Sequence, residues 1–558
     1  GRTEVDEGAA EKIGNKMKSS ILKANIRVVA SGGTKERAEA ILREIESSFN
    51  QFTEATSNGI VFEEIKGSDL KQFFRDFSYR VFCSDKTLPM NLKELASVFH
   101  FPVGISGQGQ LKEAKAGAGP APVEMSKEGI LLGINSYRGR DTEIRMTRED
   151  RMRHMYVIGQ TGTGKTTILK NMIAQDIRNG DGCCFIDPHG TDIQEILSYV
   201  PKERIDDVIY FDPAYTARPM GLNMLEFDPK YPEQKTFVVN ELMGIFNKLF
   251  DMKSSGGPMF EQYFKNSAFL IMEDPSSGCT LLEISRVLVD KEFRDMKLSK
   301  CKNPIIRQFW TAAEQTTGDQ GLANFVPYIT SKFDNFISND IMRPVVLQEK
   351  SVFNFREIMD NKKILLVNLS KGRLGDINAN LIGLLLVGKI QMAALSRVDM
   401  YGQKMNDFYL YIDEFQNVTT DSIASILSEA RKYRLSLTVA HQYISQLEEK
   451  IRDAVFGNVG SMAVYRISTE DATTLEPKFK PTFAATDIMK LDNFNSYVNM
   501  LVAGVPTKPF SMTSHWSLLK EKGNPEMVES LKQLSYLKYG RDREEVEAEI
   551  MGRYGKQN

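Results

Sequence analysis

Met155-Tyr156-Val157-Ile158-Gly159-Gln160-Thr161-Gly162-Thr163-Gly164-Lys165-Thr166-Thr167 is the stretch that decides how this chain folds. Four apolar residues form a short buried-type strand, glycines break it, and Ile168 to Arg178 takes up helical periodicity. Strand, glycine-rich turn and helix in that order are what a phosphate-binding loop requires. The glycines allow successive backbone N–H groups to face a phosphate, and the helix start adds a favourable partial charge. Lys165 is placed to reach β and γ oxygens, and Thr166 to offer a hydroxyl to Mg²⁺. Gly159 to Thr167 are therefore the candidate nucleotide-binding residues, with ATP and Mg²⁺ as the expected ligands.

Working outward, such a loop needs a second acidic element. Phe408-Tyr-Leu-Tyr-Ile-Asp413-Glu414 supplies an apolar strand that ends in two acids and resembles a Walker B segment. Asp413 is the expected Mg²⁺ partner and Glu414 the group that polarises the attacking water. Asp187 ends another apolar strand, Cys183 to Ile186, where an acid faces the ligand crevice of a parallel sheet; a turn-capping role before Pro188 is the competing reading. Gln442 follows the strand Ser436 to Ala440 and is a candidate γ-phosphate or water sensor, or else a polar helix-start residue. Arg431 and Arg466 are both candidates to stabilise transition-state charge.

The same strand pattern recurs along the chain. Apolar runs at Ile130–Ile134, Met155–Ile158, Cys183–Ile186, Val208–Phe211, Ile364–Leu369, Phe408–Ile412, Ser436–Ala440, Met462–Ile467 and Tyr497–Ala503 suit an α/β fold with a buried, mostly parallel sheet. Between them, residues 233–345 carry only helical periodicity and read as an all-helical insertion. The expected organisation is a frayed tail at 1–20, a small N-terminal α/β domain at 21–103, and a Gly/Ala/Pro/Lys-rich flexible linker at 104–126. The two halves of the sheet domain follow at 127–232 and 346–510, on either side of the insertion, with a polar helical tail at 511–558. In the N-terminal domain, Asn25–Ala30 and Ile60–Ile65 read as strands, and Thr34–Phe52, Ser68–Phe77 and Leu92–Phe99 as helices, with Thr34 and Ser68 as caps.

Composition bounds the rest. The 558 residues exceed what one core usually supports, and a net charge of −2 gives no global basic field, so any nucleic-acid surface must be local. Lys371–Arg373 and Lys478–Lys480 are the candidate basic loops. Five scattered cysteines lack metal-ligand spacing and read as buried thiols in a reducing compartment. No apolar run is long enough to span a bilayer; Leu381 to Leu395, interrupted by Lys389 and Gln391, reads as a core helix. The chain opens Gly1-Arg2-Thr3 without a methionine, so a membrane attachment is expected only through a segment outside this sequence.

Taken in order, Gly-Gln-Thr-Gly-Thr-Gly-Lys-Thr at 159–166, Ile-Asp-Pro-His-Gly at 186–190, Tyr-Ile-Asp-Glu-Phe-Gln at 411–416 and Ala-Arg-Lys-Tyr-Arg-Leu-Ser-Leu-Thr-Val-Ala-His-Gln at 430–442 are similar to HerA/FtsK-type ATPases. Within these, the pattern and the helical insertion most resemble TraG/TraD-like coupling proteins of conjugative type IV secretion. The resemblance implies a RecA-like motor that assembles as a homo-hexamer, with ATP at subunit interfaces and DNA in the central channel. It implies DNA-stimulated ATPase activity, channel components and a relaxosome-type substrate as partners, and a place in the cytoplasm, at the inner-membrane face. It also favours Arg431 over Arg466 as the finger acting on the neighbouring subunit. The N-terminal α/β domain departs from that pattern and is more reminiscent of type IV secretion assembly ATPases. An assembly or export ATPase that does not move DNA, a HerA-like DNA-processing translocase and a nucleotide-gated docking protein are the alternatives.

Overall fold

The computed structural model describes residues 7–52, 59–99, 116–250, 252, 257–420, 422–514 and 523–554. The chain divides into two compact units, residues 1–113 and 114–558. In the first unit a helix at Glu7–Lys16 occupies most of the stretch expected to fray. Strand β1 (Ile21–Ala24) pairs antiparallel with β2 (Leu88–Asn91), Ile21 opposite Asn91. Asn25–Ala30 and Ile60–Ile65 form no strand. At Asn25 the reason is local: its side chain takes the hydrogen bonds of the Cys83 backbone, accepting from the N–H at 2.7 Å and donating to the carbonyl at 3.0 Å, in place of a ladder.

The helices of this unit lie close to where their caps put them. Thr34 accepts from the Arg37 N–H ahead of the helix Lys35–Ser48, and Asn91 and Glu94 form a reciprocal capping box on Leu92–Val98. Ser68 precedes the helix Asp69–Ser78 as expected, but it makes no side-chain cap bond.

Most of the linker sequence, 104–115, lies outside the described residues. Its remainder, 116–126, is fastened to the second unit. The buried Asn135 accepts from Ala121 N–H at 3.0 Å and donates to the Gly119 carbonyl at 2.8 Å, and Gly119 N–H donates to Ser511 Oγ at 3.2 Å. A Cβ at Gly119 would stand 2.8 Å from the Phe483 ring, which explains the small residue there.

The second unit is built on strands β3 (Ile130–Tyr137), β4 (Arg140–Met146), β5 (Met155–Ile158), β6 (Gly182–Asp187), β7 (Val208–Phe211), β8 (Ile364–Asn368), β9 (Phe408–Ile412), β10 (Leu435–His441), β11 (Ser461–Val464) and β12 (Asn495–Asn499). After these come a separate small hairpin, β13 (Leu501–Val502) with β14 (Val505–Pro506), and then β15 (Phe510–Ser514). The main sheet is eleven-stranded in the order β4-β3-β15-β12-β11-β5-β10-β9-β6-β8-β7. From β11 to β7 the strands run parallel, and β12, β15, β3 and β4 extend the sheet antiparallel. The parallel strands β5 to β10 are buried throughout, as continuous apolar runs require. Register brings the carboxyl ends together: Ile158 lies opposite His441, and Ile186 opposite Ile412.

Two expected strands end early. After β11, Tyr465 to Ile467 leave the sheet, and β12 stops before a turn in which Ala503 has φ 52°. Between β7 and β8 the chain is helical, with long members at Gln234–Phe250, Gly257–Glu273, Leu281–Val289, Lys291–Lys300 and Pro304–Thr330, the last broken at Gly318. Thr280 with Glu283 in a capping box, Asp290 and Asn303 cap three of these helices. The stretch Asp376–Met400 does have the length and apolarity to cross a membrane, but 83% of its apolar window is buried within the protein, so it is a core helix.

Two helices, Pro525–Tyr539 and Arg543–Tyr554, follow the sheet. The first seals the outer edge of β7: Tyr210 N–H donates to Ser535 Oγ at 2.8 Å, and the same hydroxyl donates back to the Tyr210 carbonyl at 3.2 Å. Tyr536 stacks on Tyr215 with ring centroids 3.7 Å apart. The second helix ties to the helical insertion through Glu547 with Arg343 at 3.0 Å and Arg553 with Glu283 at 3.4 Å. All five cysteines are unpaired; Cys183, Cys184, Cys279 and Cys301 are buried, and Cys83 is partly exposed.

Candidate nucleotide site

The loop Gly159–Thr167 joins β5 to the helix Lys165–Arg178, with Gly162 at φ 76° and Gly164 at φ 119°. Only glycine holds such angles without strain, and Gly164 in this conformation starts the helix. Gly159 is required for a different reason, since a Cβ there would lie 2.6 Å from Tyr465 Cβ and 2.7 Å from Thr163 Oγ1. The residues leaving β11 close over the loop, so that Gln160 N–H donates to the Arg466 carbonyl at 2.9 Å. That is the physical reason β11 ends at Val464. Thr161 is exposed at the mouth, whereas Thr163 is buried and bonds the Gln160 carbonyl at 2.6 Å.

Lys165 is 6% exposed, and its ammonium bonds the Gln160 carbonyl at 3.3 Å. Burial lowers its pKa, while the charges of Asp413 and Glu414 hold it up. Thr166 Oγ1 donates to Asp413 Oδ2 at 3.3 Å, which joins the loop to the end of β9. Thr167 lies beside it, partly buried. Burial, then the neighbouring Glu414 charge, pushes the Asp413 carboxyl up to about 6. The fit to phosphate and Mg²⁺ rests on this donor set: free N–H groups at a helix start, one buried cation, and a hydroxyl and carboxylate side by side. Among the described residues no group of three or more His, Cys, Asp or Glu forms a metal cage.

Glu414 follows with φ 49°, a left-handed backbone that turns it off the strand. Two amides hold its carboxylate: Gln442 Nε2 donates to Oε1 at 2.5 Å and Gln416 Nε2 to Oε2 at 2.7 Å. Gln442 Oε1 in turn accepts from Thr161 Oγ1 at 3.1 Å. A single chain of hydrogen bonds thus runs from the phosphate loop through Gln442 to Glu414 and Gln416. Gln416 was not among the residues expected from sequence; its position two residues after the acid is the one signal that pointed to it.

The other nominated residues fall in three different places. Asp187 is 2% exposed and spends its carboxylate on backbone, accepting from His189 N–H at 2.9 Å and Asp192 N–H at 3.2 Å. The turn-holding reading describes these bonds, although the Asp187 charge still helps raise Asp413. Arg466 flanks the loop, its guanidinium bound to the Leu491 carbonyl at 3.2 Å and Asn493 Oδ1 at 2.9 Å. Arg431 is exposed and precedes β10, whereas Gln442 follows it. The seven residues of β10 place Arg431 roughly 20 Å from its own phosphate loop. The structure therefore brings together the loop, Asp413, Glu414, Gln442 and Arg466, and sets Arg431 at the opposite, amino-terminal ends of the parallel strands.

Comparison with known proteins places this geometry. Residues 407–476 match the family model described as the TraM recognition site of TraD and TraG. The plasmid coupling protein TrwB in complex with ADP and Mg²⁺ superposes with a TM-score of 0.50 and 16% identity, over 70% of this chain and 90% of its own. The fold is that of the coupling protein TrwB. The segment that matches TraD and TraG contains Asp413, Glu414, Arg431, Gln442 and Arg466. The unbound monoclinic form of the bacterial conjugative coupling protein TrwBdeltaN70 gives 0.49 and 16% over 70% of this chain and 91% of its own. VirB4 of Thermoanaerobacter pseudethanolicus gives 0.45 and 13%, over 71% and 99%. No curated protein sequence matches.

Proposed function

We propose that this chain hydrolyses ATP and couples that hydrolysis to moving DNA, as a coupling motor of a type IV secretion system. The Thr166–Asp413 contact at 3.3 Å carries the reading, because it unites the phosphate loop and the acidic strand in one site. Lys165 and the helix start bind and orient the phosphates, and Thr166 with Asp413 hold Mg²⁺, which when bound offsets phosphate charge. Glu414 accepts a proton from the attacking water, and Gln442 reports on the γ-phosphate position to Glu414 through Thr161. Exposure of Arg431 at the amino ends of the parallel strands, away from its own phosphate loop, supports a homo-hexameric ring in which each Arg431 serves a neighbour's site. Cytoplasmic placement, channel components and a relaxosome-type partner belong to the same reading.

Of the basic loops, Lys478 bonds the Phe456 carbonyl at 3.3 Å and Lys480 pairs with Glu476 at 2.9 Å, while Lys371 pairs with Asp376 at 3.1 Å. Arg373, exposed just beyond the carboxyl end of β8, is left as the candidate phosphate contact. This local neutralisation favours the second reading, an assembly or export ATPase that does not translocate DNA. ATPase activity measured against oligomer size, with single- and double-stranded DNA, separates the two. Assembled rings indifferent to both DNAs would leave the export reading standing and sink the first.

A further inference from the structure

A cavity of about 600 Å³ lies at the root of the helical insertion, away from the phosphate loop. Its walls come from both crossings between motor and insertion, at Glu226–Pro229 and Ser351–Ile358, and from the core helix Asp376–Ser396. These crossings are bonded to each other: Val352 N–H donates to the Gly221 carbonyl at 3.0 Å, and Ser351 N–H to the Glu226 carboxylate at 3.2 Å. Anything seated here touches the joint through which the insertion is carried.

Three cations line the cavity, and two are satisfied by carboxylates. Arg356 pairs with Asp360 at 2.5 Å and Asp399 at 2.9 Å, and Lys363 with Asp207 at 2.7 Å. Lys389 differs. It is 6% exposed, among the described residues lies within ion-pair reach of no carboxylate, and donates one hydrogen bond, to the Glu226 carbonyl at 3.1 Å. An ammonium has three donors, and among the described residues one hydrogen bond meets them, with the Glu226 charge acting on the group as well. Burying a cation so incompletely paired is costly, and its pKa accordingly falls to about 8, with burial the main cause. The remaining wall limits what could complete it. Phe227, Phe353, Phe355 and Met392 offer apolar surface, while Glu226, Asp228 and Glu357 repel a highly charged ligand.

We propose that this cavity binds a small molecule with a single oxyanion head on an apolar body, its head held by Lys389. A polyphosphate does not fit that charge pattern, so the site is distinct in chemistry from the nucleotide site. The ligand's effect would be to stiffen the joint between motor and insertion.

Isothermal titration of the full chain with octanoate, hexyl phosphate and neutral octanamide tests this. At least one anion should bind at least ~10-fold more tightly than octanamide, the discrimination of one charge-assisted hydrogen bond. Octanoate against hexyl phosphate tells a carboxylate ligand from a phosphate one. Lys389→Met should erase the discrimination, and Lys165→Ala, which removes the phosphate-loop cation, should keep it. A measurement on the wild-type chain makes the test independent of how the variant folds: the bound anion should slow acetylation of Lys389, read by mass spectrometry, and leave the exposed Lys404, outside the cavity, unchanged. Equal binding of all three compounds, no binding of either anion, discrimination that survives Lys389→Met, or an unprotected Lys389 would each overturn the proposal.

Discussion

At Asp413 a carboxylate is kept ready at a cost to the empty protein. Its folded pKa, about 6, lies above the ordinary carboxylate value of about 3.9. The folded state therefore binds more protons than the unfolded one between those values, and stability from this group is lost as pH rises through about 6. Asp413→Asn should accordingly raise the melting temperature of nucleotide-free protein at neutral pH, by the equivalent of about 1–2 kcal/mol, while abolishing turnover. A melting temperature equal to or below wild type at pH 7.5 would contradict the assignment. Mg²⁺-dependent nucleotide affinity should weaken as pH falls through about 6, because a protonated Asp413 no longer attracts the cation. Glu414→Gln should keep ATP binding and reduce turnover by ~10²-fold or more, whereas Lys165→Ala should lose tight binding. Gln416→Ala removes one of the two amides that hold Glu414. A kcat lowered ~10-fold or more with little change in KM is the expected kinetic result, matching the loss of one hydrogen bond to a charge.

At the scale of elements, strands buried on both faces were the ones sequence could announce. Met155–Ile158, Val208–Phe211 and Phe408–Ile412 are continuous apolar runs, and the structure returns them with the same ends. β4, Arg-Asp-Thr-Glu-Ile-Arg-Met, was illegible because an edge strand carries charge on its open side; Ile144 and Met146 alone are buried apolar positions. β15 was hidden by its place after a loop, where its partner β12 lies far enough upstream that no local pattern links them. The site was legible wherever chemistry and position coincide, as at Lys165, Asp413 and Gln442. Gln416 and the left-handed turn at Glu414 were not, since a left-handed residue after a strand leaves no mark in composition. A prediction belongs here as well. Ser535→Ala deprives Tyr210 N–H of its acceptor, an omission worth about 1–3 kcal/mol, and should speed proteolysis between the sheet and the C-terminal helices. Cleavage at the wild-type rate would show that this bond does not hold the helix.

For the whole molecule, the proposed role of Arg431 as a finger requires a second copy, because Arg431 lies roughly 20 Å from its own phosphate loop. Arg431→Ala should bind ATP normally and lose ~10³-fold or more in turnover if it serves as a finger. In rings mixed with wild-type subunits, activity should fall faster than the wild-type fraction; strict proportionality would exclude action across an interface. Arg373→Ala should reduce the salt dependence of DNA binding by about one phosphate contact, and an unchanged salt slope would remove Arg373 from the DNA path.

The serine that seals β7 has a last consequence. With Ser535 occupying both backbone groups of Tyr210, and charged side chains along β4 on the opposite margin, neither end of the sheet is an inviting template for another copy's strand. On the proposed reading, in which copies gather at one secretion channel, margins closed in this way let them lie side by side without adding strand to strand.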